Sequence, residues 1–356
     1  KPSGVWIMAY TDIDKPSDNF SATLYTGNAT ARTIATGHQS DWVWLKRRDG
    51  TAGHRIADSV RGATKLIYSD SNTSEQTDAK SITGFVSTGF TLGDDANGYD
   101  VNTNTNTMVA WSWKAGTSFT NDASSTGIGS IDSAGSVSTT AGFSIIRFSG
   151  TGSQGTVAHG LGAVPHAIFF KRLDANGAWA SYHKPLGATK YMRLDSNSAQ
   201  ITASDEFNDT EPTSTVFTVD TDGGVNASGT NNMIAYCFAE KQGYSKFGSY
   251  TGNGNANGTF VYTGQKSAFI MLKNTTRAAS WLMFDNKRLG YNVDNNEVVA
   301  NTSAAEETYD ELDILSNGFK MRANGTSTNL NGDIYIYMAF AENPFVTSGG
   351  VPATAR

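Results

Sequence analysis

The sequence predicts an all-β protein built from three tandem, divergent β-sandwich modules of about 100 residues each, jelly-roll-like in outline. Two observations predict it. The composition, with 38% hydrophobic and only 17% charged residues and 37 glycines, suits short strands joined by many turns. Four strand-like landmarks also recur three times in the same order.

The first landmark is an aromatic strand running into a glycine turn: Phe20-Ser21-Ala22-Thr23-Leu24-Tyr25-Thr26-Gly27. It returns as Phe143-Ser144-Ile145-Ile146-Arg147-Phe148-Ser149-Gly150 and, one residue longer, from Tyr244 to Gly252. The second ends in lysine: Val43-Trp44-Leu45-Lys46, Ile168-Phe169-Phe170-Lys171 and Ile270-Met271-Leu272-Lys273. The third closes on Phe90, Phe217 and Phe319. The fourth is a closing strand ending in Trp113, Phe238 and Phe340. From the aromatic before the turn to the lysine the steps are 21, 23 and 23 residues; from lysine to phenylalanine, 44, 46 and 46; from there to the last aromatic, 23, 21 and 21. Each landmark is β-branched or aromatic and bounded by Gly, Asn or Ser, which is strand grammar. The closing strands are apolar at nearly every position, so both of their faces should be covered.

The expected organisation is an N-terminal segment (1–19), module one (20–116), a Ser/Thr/Gly-rich connector (117–142), module two (143–240), module three (244–342) and a C-terminal tail (343–356). Residues 1–7 read as upstream or tag sequence, because Met8 would make a natural translation start. The connector fits either a linker or an extra edge strand, since residues 129–137 alternate weakly. The joint between modules two and three, residues 241–243, is short enough to imply packed neighbours. The acidic stretch 303–315 is ambiguous between helix and strand.

The net charge is −6, so no basic field is available for nucleic acid. No run of 18 apolar residues exists, and no membrane insertion is expected. The single cysteine, Cys237, excludes intramolecular disulfides and reads as a buried small hydrophobe. Hydrolase-elbow, zinc-helix and phosphate-loop motifs do not occur. His38, His54, His159, His166 and His183 lack helical pairing. Asp220-Thr221-Asp222-Gly223-Gly224 has the front of a calcium loop, but the twelfth position is Asn231, so a turn is expected. No catalytic residue, cofactor or metal site is expected.

Shared residues should be structural, and a residue that one copy has alone is the better functional candidate. Counting back from Gly62, Gly187 and Gly290, copy one carries His54 where the others carry Trp179 and Trp281. His54 and Arg55, near Arg47 and Arg48, together with Asp94, Asp95, Tyr99 and Asp100 of the extra loop 94–100, are the expected ligand-contacting residues.

Asp41-Trp42-Val43-Trp44-Leu45-Lys46-Arg47, Asp58-Ser59-Val60-Arg61-Gly62-Ala63, Gly89-Phe90-Thr91-Leu92-Gly93 and Val109-Ala110-Trp111-Ser112-Trp113-Lys114-Ala115 resemble a family of proteins of marine tailed phages. So do Phe247-Gly248-Ser249-Tyr250-Thr251-Gly252-Asn253-Gly254 and Ala339-Phe340-Ala341-Glu342-Asn343-Pro344-Phe345. Members are described as tail-fibre-like or virion structural proteins, with no assigned activity. The resemblance implies a non-enzymatic tail-fibre or tail-tip subunit of the virion, assembled in the host cytoplasm. Expected partners are other virion proteins, further copies of the chain (a trimer by analogy) and a host surface glycan or protein. The alternatives are a capsid decoration or head-fibre protein and, third, a glycan depolymerase.

Overall fold

A computed structural model describes residues 9–289, 292 and 294–354. The expected upstream segment 1–7 and the landmark Gly290 lie outside the described residues.

Each module is a sandwich of an inner and an outer antiparallel sheet. In module one the inner sheet runs Phe20–Thr26, Thr107–Trp113, Trp42–Arg47, Arg55–Asp58. These are the opening, closing, lysine and flanking strands. Module two repeats that order with Phe143–Phe148, Met233–Phe238, Ala167–Arg172 and Ala180–His183. Module three repeats it with Ser245–Thr251, Ile334–Pro344, Gln265–Asn274 and Leu282–Asp285. The register is the same throughout: Phe20, Phe143 and Ser245 lie opposite Trp113, Phe238 and Phe340. The extra Tyr244 of copy three therefore falls just before its strand.

The outer sheets contain Arg32–Ala35, Gly89–Leu92 and Ile82–Val86 in module one and Gly155–Ala158 with Val216–Val219 in module two. Module three has Phe260–Tyr262, Gly318–Met321 and Glu307–Leu315, which places the acidic stretch in a strand. There Asp294–Val299 pairs with both Leu282–Asp285 and Glu307–Leu315, joining the two layers into one eight-stranded, nearly closed sheet. The connector is not a free linker. Its strands Thr117–Asn121 and Ser133–Ser138 extend the inner sheet of module two beside Phe143–Phe148. The calcium-like stretch forms a short helix, Gly223–Asn226, whose start Asp222 caps by accepting the Gly224 N–H at 2.6 Å.

Strand alternation explains why the inner sheets are apolar on both faces. Val43 and Leu45, Ile168 and Phe170, and Ile270 and Leu272 point into the sandwich core of their own module. Trp42 and Trp44, Phe169, and Phe269 and Met271 point the other way, into one core shared by all three modules. At its centre the closing aromatics meet: Trp113 and Phe238 lie 6.5 Å apart, Phe238 and Phe340 5.8 Å, and Trp113 and Phe340 5.5 Å. Burying rings of this size stabilises by roughly 1.5–3 kcal/mol each.

The modules form a closed ring around a pseudo-threefold axis. After its flanking strand each module sends an arm onto the next. The Trp179 indole N–H donates to Tyr68 O at 2.7 Å, and that of Trp281 to Arg193 O at 2.9 Å. His54 Nε2 closes the circle on Val299 O at 3.0 Å. The repeated lysines do the same: Lys171 reaches Asn72 O (2.9 Å), Lys273 reaches Asn197 O (3.4 Å) and Lys46 reaches Ser303 O (3.2 Å). Backbone N–H groups of Gly177, Ala279 and Ala52 donate to those same three carbonyls. The closing strands add a second seam, where Tyr236 donates to Asp58 at 2.7 Å and Trp111 to Asp285 at 3.0 Å. Each of these carboxylates is also held by a buried arginine three residues on, Arg61 and Arg288. Module two puts His183 at this position, bonded to Tyr337 O at 3.1 Å.

Candidate functional site: an aromatic-edged cleft at the module junction

The residues expected from copy one divide between the interior and the surface. His54 is fully buried. Its Nδ1 accepts from Trp44 Nε1 at 2.7 Å, while Nε2 donates to Val299 O. Burial, and then the nearby Lys46 charge, hold its imidazole well below the usual range, so it is neutral at pH 7. His54 is thus the local equivalent of Trp179 and Trp281 and offers a ligand no surface, which corrects its placement among contact residues. Arg48 likewise faces module three, bonded to Glu306 through two contacts of 2.9 Å.

Arg55 and Tyr99 are brought together: the guanidinium lies 5.5 Å from the Tyr99 ring and 4.9 Å from that of Tyr68. The acidic members of the loop are occupied with holding it. Asp95 is buried and accepts from the N–H groups of Tyr99, Val101 and Asn102 and from the Thr103 hydroxyl. Asp100 bonds Arg47 and Asn106, each at 3.2 Å. Asp94 pairs with Lys80 at 3.2 Å. Arg55 and Tyr99 are half-buried, with the Tyr99 ring packed on the core of module one, and the Asp94–Lys80 pair is the more exposed part of this constellation.

A concave site occurs elsewhere, where the N-terminal segment crosses the joint between modules two and three. One cavity of about 440 Å³ is lined by Tyr10, Asp12, Thr139, Thr140, Lys241 and Gln242, among others. Its neighbour, about 250 Å³, is lined by Tyr10, Glu240, Gln242, Lys246, Tyr262 and Gly264, among others. Tyr10 and Gln242 form the wall common to both. Tyr10 is locked in place: its hydroxyl donates to Gly264 O at 2.7 Å, lies 3.4 Å from that of Tyr262, and its ring packs edge-on against Phe345. Burial and the Tyr262 hydroxyl push its pKa upward, so it stays protonated. Gly264, at φ +71°, has no room for a side chain, because a Cβ there would lie 2.5 Å from the Tyr10 hydroxyl. The Thr11 hydroxyl donates to Gln242 O at 2.8 Å and fixes the segment further along. Lys246 is neutralised by Glu240 at 2.6 Å.

The rim is aromatic. Phe260 and Tyr262 project from the same face of the outer-edge strand and are 46% and 53% exposed. The registers of the three outer sheets align Tyr262, opposite Gly318, with Ala35, opposite Gly89, and Ala158, opposite Val216. Phe260 aligns with Thr33 and Thr156. Copy three therefore carries two exposed rings where the other copies carry Thr and Ala.

A family model described as a domain of unknown function (DUF7483) matches residues 15–344. The chain belongs to that family. The match runs from just before the first opening strand to Pro344, the end of the last closing strand, so the DUF7483 unit contains the whole ring. No curated protein and no solved structure matches the chain significantly.

Two features of this DUF7483 ring escape a linear reading. The aromatic rim is out of line in the sequence because the loops before the lysine strands differ in length; strand register restores the comparison. The second is a repeated buried asparagine, Asn102, Asn226 and Asn329. Each side-chain oxygen accepts the N–H just after the opening-strand glycine: Asn28, Thr151 and Asn253. Each amide donates to backbone carbonyls: Thr30 and Gly93, Ser153 and Asp220, and Asn255 and Ala323. Counting back 11, 12 and 11 residues from the closing aromatics would find it.

Proposed function

We propose that the chain is a non-enzymatic structural protein of a phage particle, a tail-fibre or tail-tip subunit that attaches to the host surface. The observation that carries this reading is the cleft at the module junction, lined by the exposed Tyr262, with Phe260 next to it on the same strand face. Solvent-facing rings beside a polar hollow are the chemistry of adhesion, because an aromatic body contributes contact area while neighbouring polar groups fix orientation. The ring behind it is a stiff support, with a shared core and repeated cross-module bonds. The phage resemblance of the landmark strands supplies the biological setting, including assembly in the host cytoplasm alongside other virion proteins.

The experiment is twofold. Cryo-EM of the particle should place the ring on the tail, and purified protein should compete with phage for adsorption to host cells. Density confined to the capsid would end the tail reading. One observation favours that alternative: a pseudo-threefold ring matches a local threefold position on a shell, as a decoration protein requires. Release of sugars from purified host envelope by the isolated protein would overturn the non-enzymatic reading.

A further inference from the structure

We propose that the cleft between the N-terminal segment and module three binds a short, uncharged oligosaccharide laid across Tyr262 and Phe260. This rests on the adhesive reading above and names the ligand class.

Three observations carry it. The first is the rim. Tyr262 lines the cleft, and Phe260, two residues along the same strand face and so roughly 6.5–7 Å away, extends it outward as a second exposed ring. A sugar ring presents an apolar C–H face that such a platform can cover, and hydroxyls around its edge that it cannot. The second is the polar lining. The exposed Gln242 amide, which can donate and accept, stands between the two hollows. The exposed Thr139 and Thr140 add hydroxyls. The third is charge balance. Lys241 and Lys246 face Asp12 and Glu240 among the cavity-lining residues, and Lys246 is already paired with Glu240. A balanced lining has no excess cation for a uronate, sialic acid or phosphate, so the ligand is neutral. The two hollows together fall in the range of small-molecule sites, roughly 300–1,000 Å³. A peptide added to the free edge of Phe260–Tyr262 fits less well, since a strand of three residues offers few ladder bonds.

Comparison of the modules sharpens the assignment. Ala35 and Ala158 occupy the Tyr262 position in equivalent sheets, so the fold does not need an aromatic there. Half-exposed rings that the scaffold does not require point to a ligand.

The test is saturation-transfer NMR on the full chain with cellotriose, maltotriose and chitotriose. At least one should show transfer to its ring protons. Tyr262→Ala and Phe260→Ala should each weaken that binding by roughly tenfold, as loss of an aromatic anchor does. Tyr262→Phe, which keeps the ring, should retain it, and Tyr309→Ala, which removes an exposed ring outside the cleft lining, should leave it unchanged. Thermal melts identify any variant that has merely unfolded. No transfer from any of the three sugars, or transfer indifferent to both alanine variants, overturns the proposal. A second arm separates it from adhesion itself, using labelled protein on host cells treated with periodate, which cleaves sugar diols, or with protease. Binding lost to periodate and to Tyr262→Ala supports the saccharide. Binding lost only to protease overturns the saccharide and leaves adhesion standing. Sugar binding without cell binding keeps the site and removes the adhesive reading.

Discussion

Lys46, Lys171 and Lys273 sit one residue before the ends of three equivalent strands, with their ammonium groups pressed against backbone carbonyls and no ion pair to a carboxylate among the described residues. Burial pushes their pKa values down to about 8, 8 and 7. The consequence for stability has a definite sign. Below the folded value each lysine is charged in both states and the folded chain bears the full desolvation cost. Between that value and the ordinary 10.5, the folded lysine releases its proton while the unfolded one keeps it, so stability rises with pH. Urea midpoints of the wild type should therefore climb between about pH 8 and 9.5, and Lys171→Met should flatten that climb. An unchanged slope would mean that Lys171 does not titrate in this window. The buried asparagines are simpler. Replacing Asn226 by Ala removes the partner of the Thr151 N–H and of the Asp220 carbonyl and one of the two donors to the Ser153 carbonyl. The cost should be about 2–4 kcal/mol, measurable by denaturant titration, with Asn102→Ala and Asn329→Ala similar.

At the scale of elements, the strands were legible because their residues carry two signals at once. Trp44-Leu45-Lys46 reads as a strand from composition, and its repetition confirms the reading. What did not show was which face of Trp42–Arg47 met which core, because both faces are apolar and alternation is lost. The connector was harder still: Thr117–Asn121 and Ser133–Ser138 are polar and owe their conformation to the edge they cover. That dependence makes a prediction. Removing residues 117–138 and rejoining the chain, feasible because Gly116 lies beside Ser138, exposes the free edge of Phe143–Phe148. Such edges pair with other chains, so light scattering should detect more self-association in the deletion variant than in the intact protein. A monodisperse, monomeric deletion variant would show that the connector guards nothing.

The whole molecule was the least legible scale. Sequence comparison counted three copies but could not say whether they lie in a row or close on themselves, since that depends on bonds between residues more than 70 positions apart. His54 illustrates the difficulty. In the linear alignment it is the odd residue of copy one, yet in space it makes the same cross-module bond as two tryptophans. The ring geometry predicts that no module is independent. Module two alone would expose Phe169, Trp179, Tyr236 and Phe238, all buried in the shared core. A fragment of residues 143–240 should lack cooperative melting and near-UV dichroism. The intact chain should melt in one calorimetric transition, with calorimetric and van't Hoff enthalpies agreeing. Three separate transitions would contradict a shared core.

The departure of copy three from its siblings at Phe260 and Tyr262 also governs valency. A true homotrimer of such modules would repeat any surface feature three times about its axis. A single chain that carries all three modules is free to let one face diverge while the other two remain support, so among the described residues the exposed ring pair at this strand position occurs once on the ring and not three times. A lone weak contact gives brief attachment. On the adhesive reading proposed above, durable attachment would depend on how many rings are displayed together and how far apart they stand, because linked sites gain from effective concentration only when they can engage together.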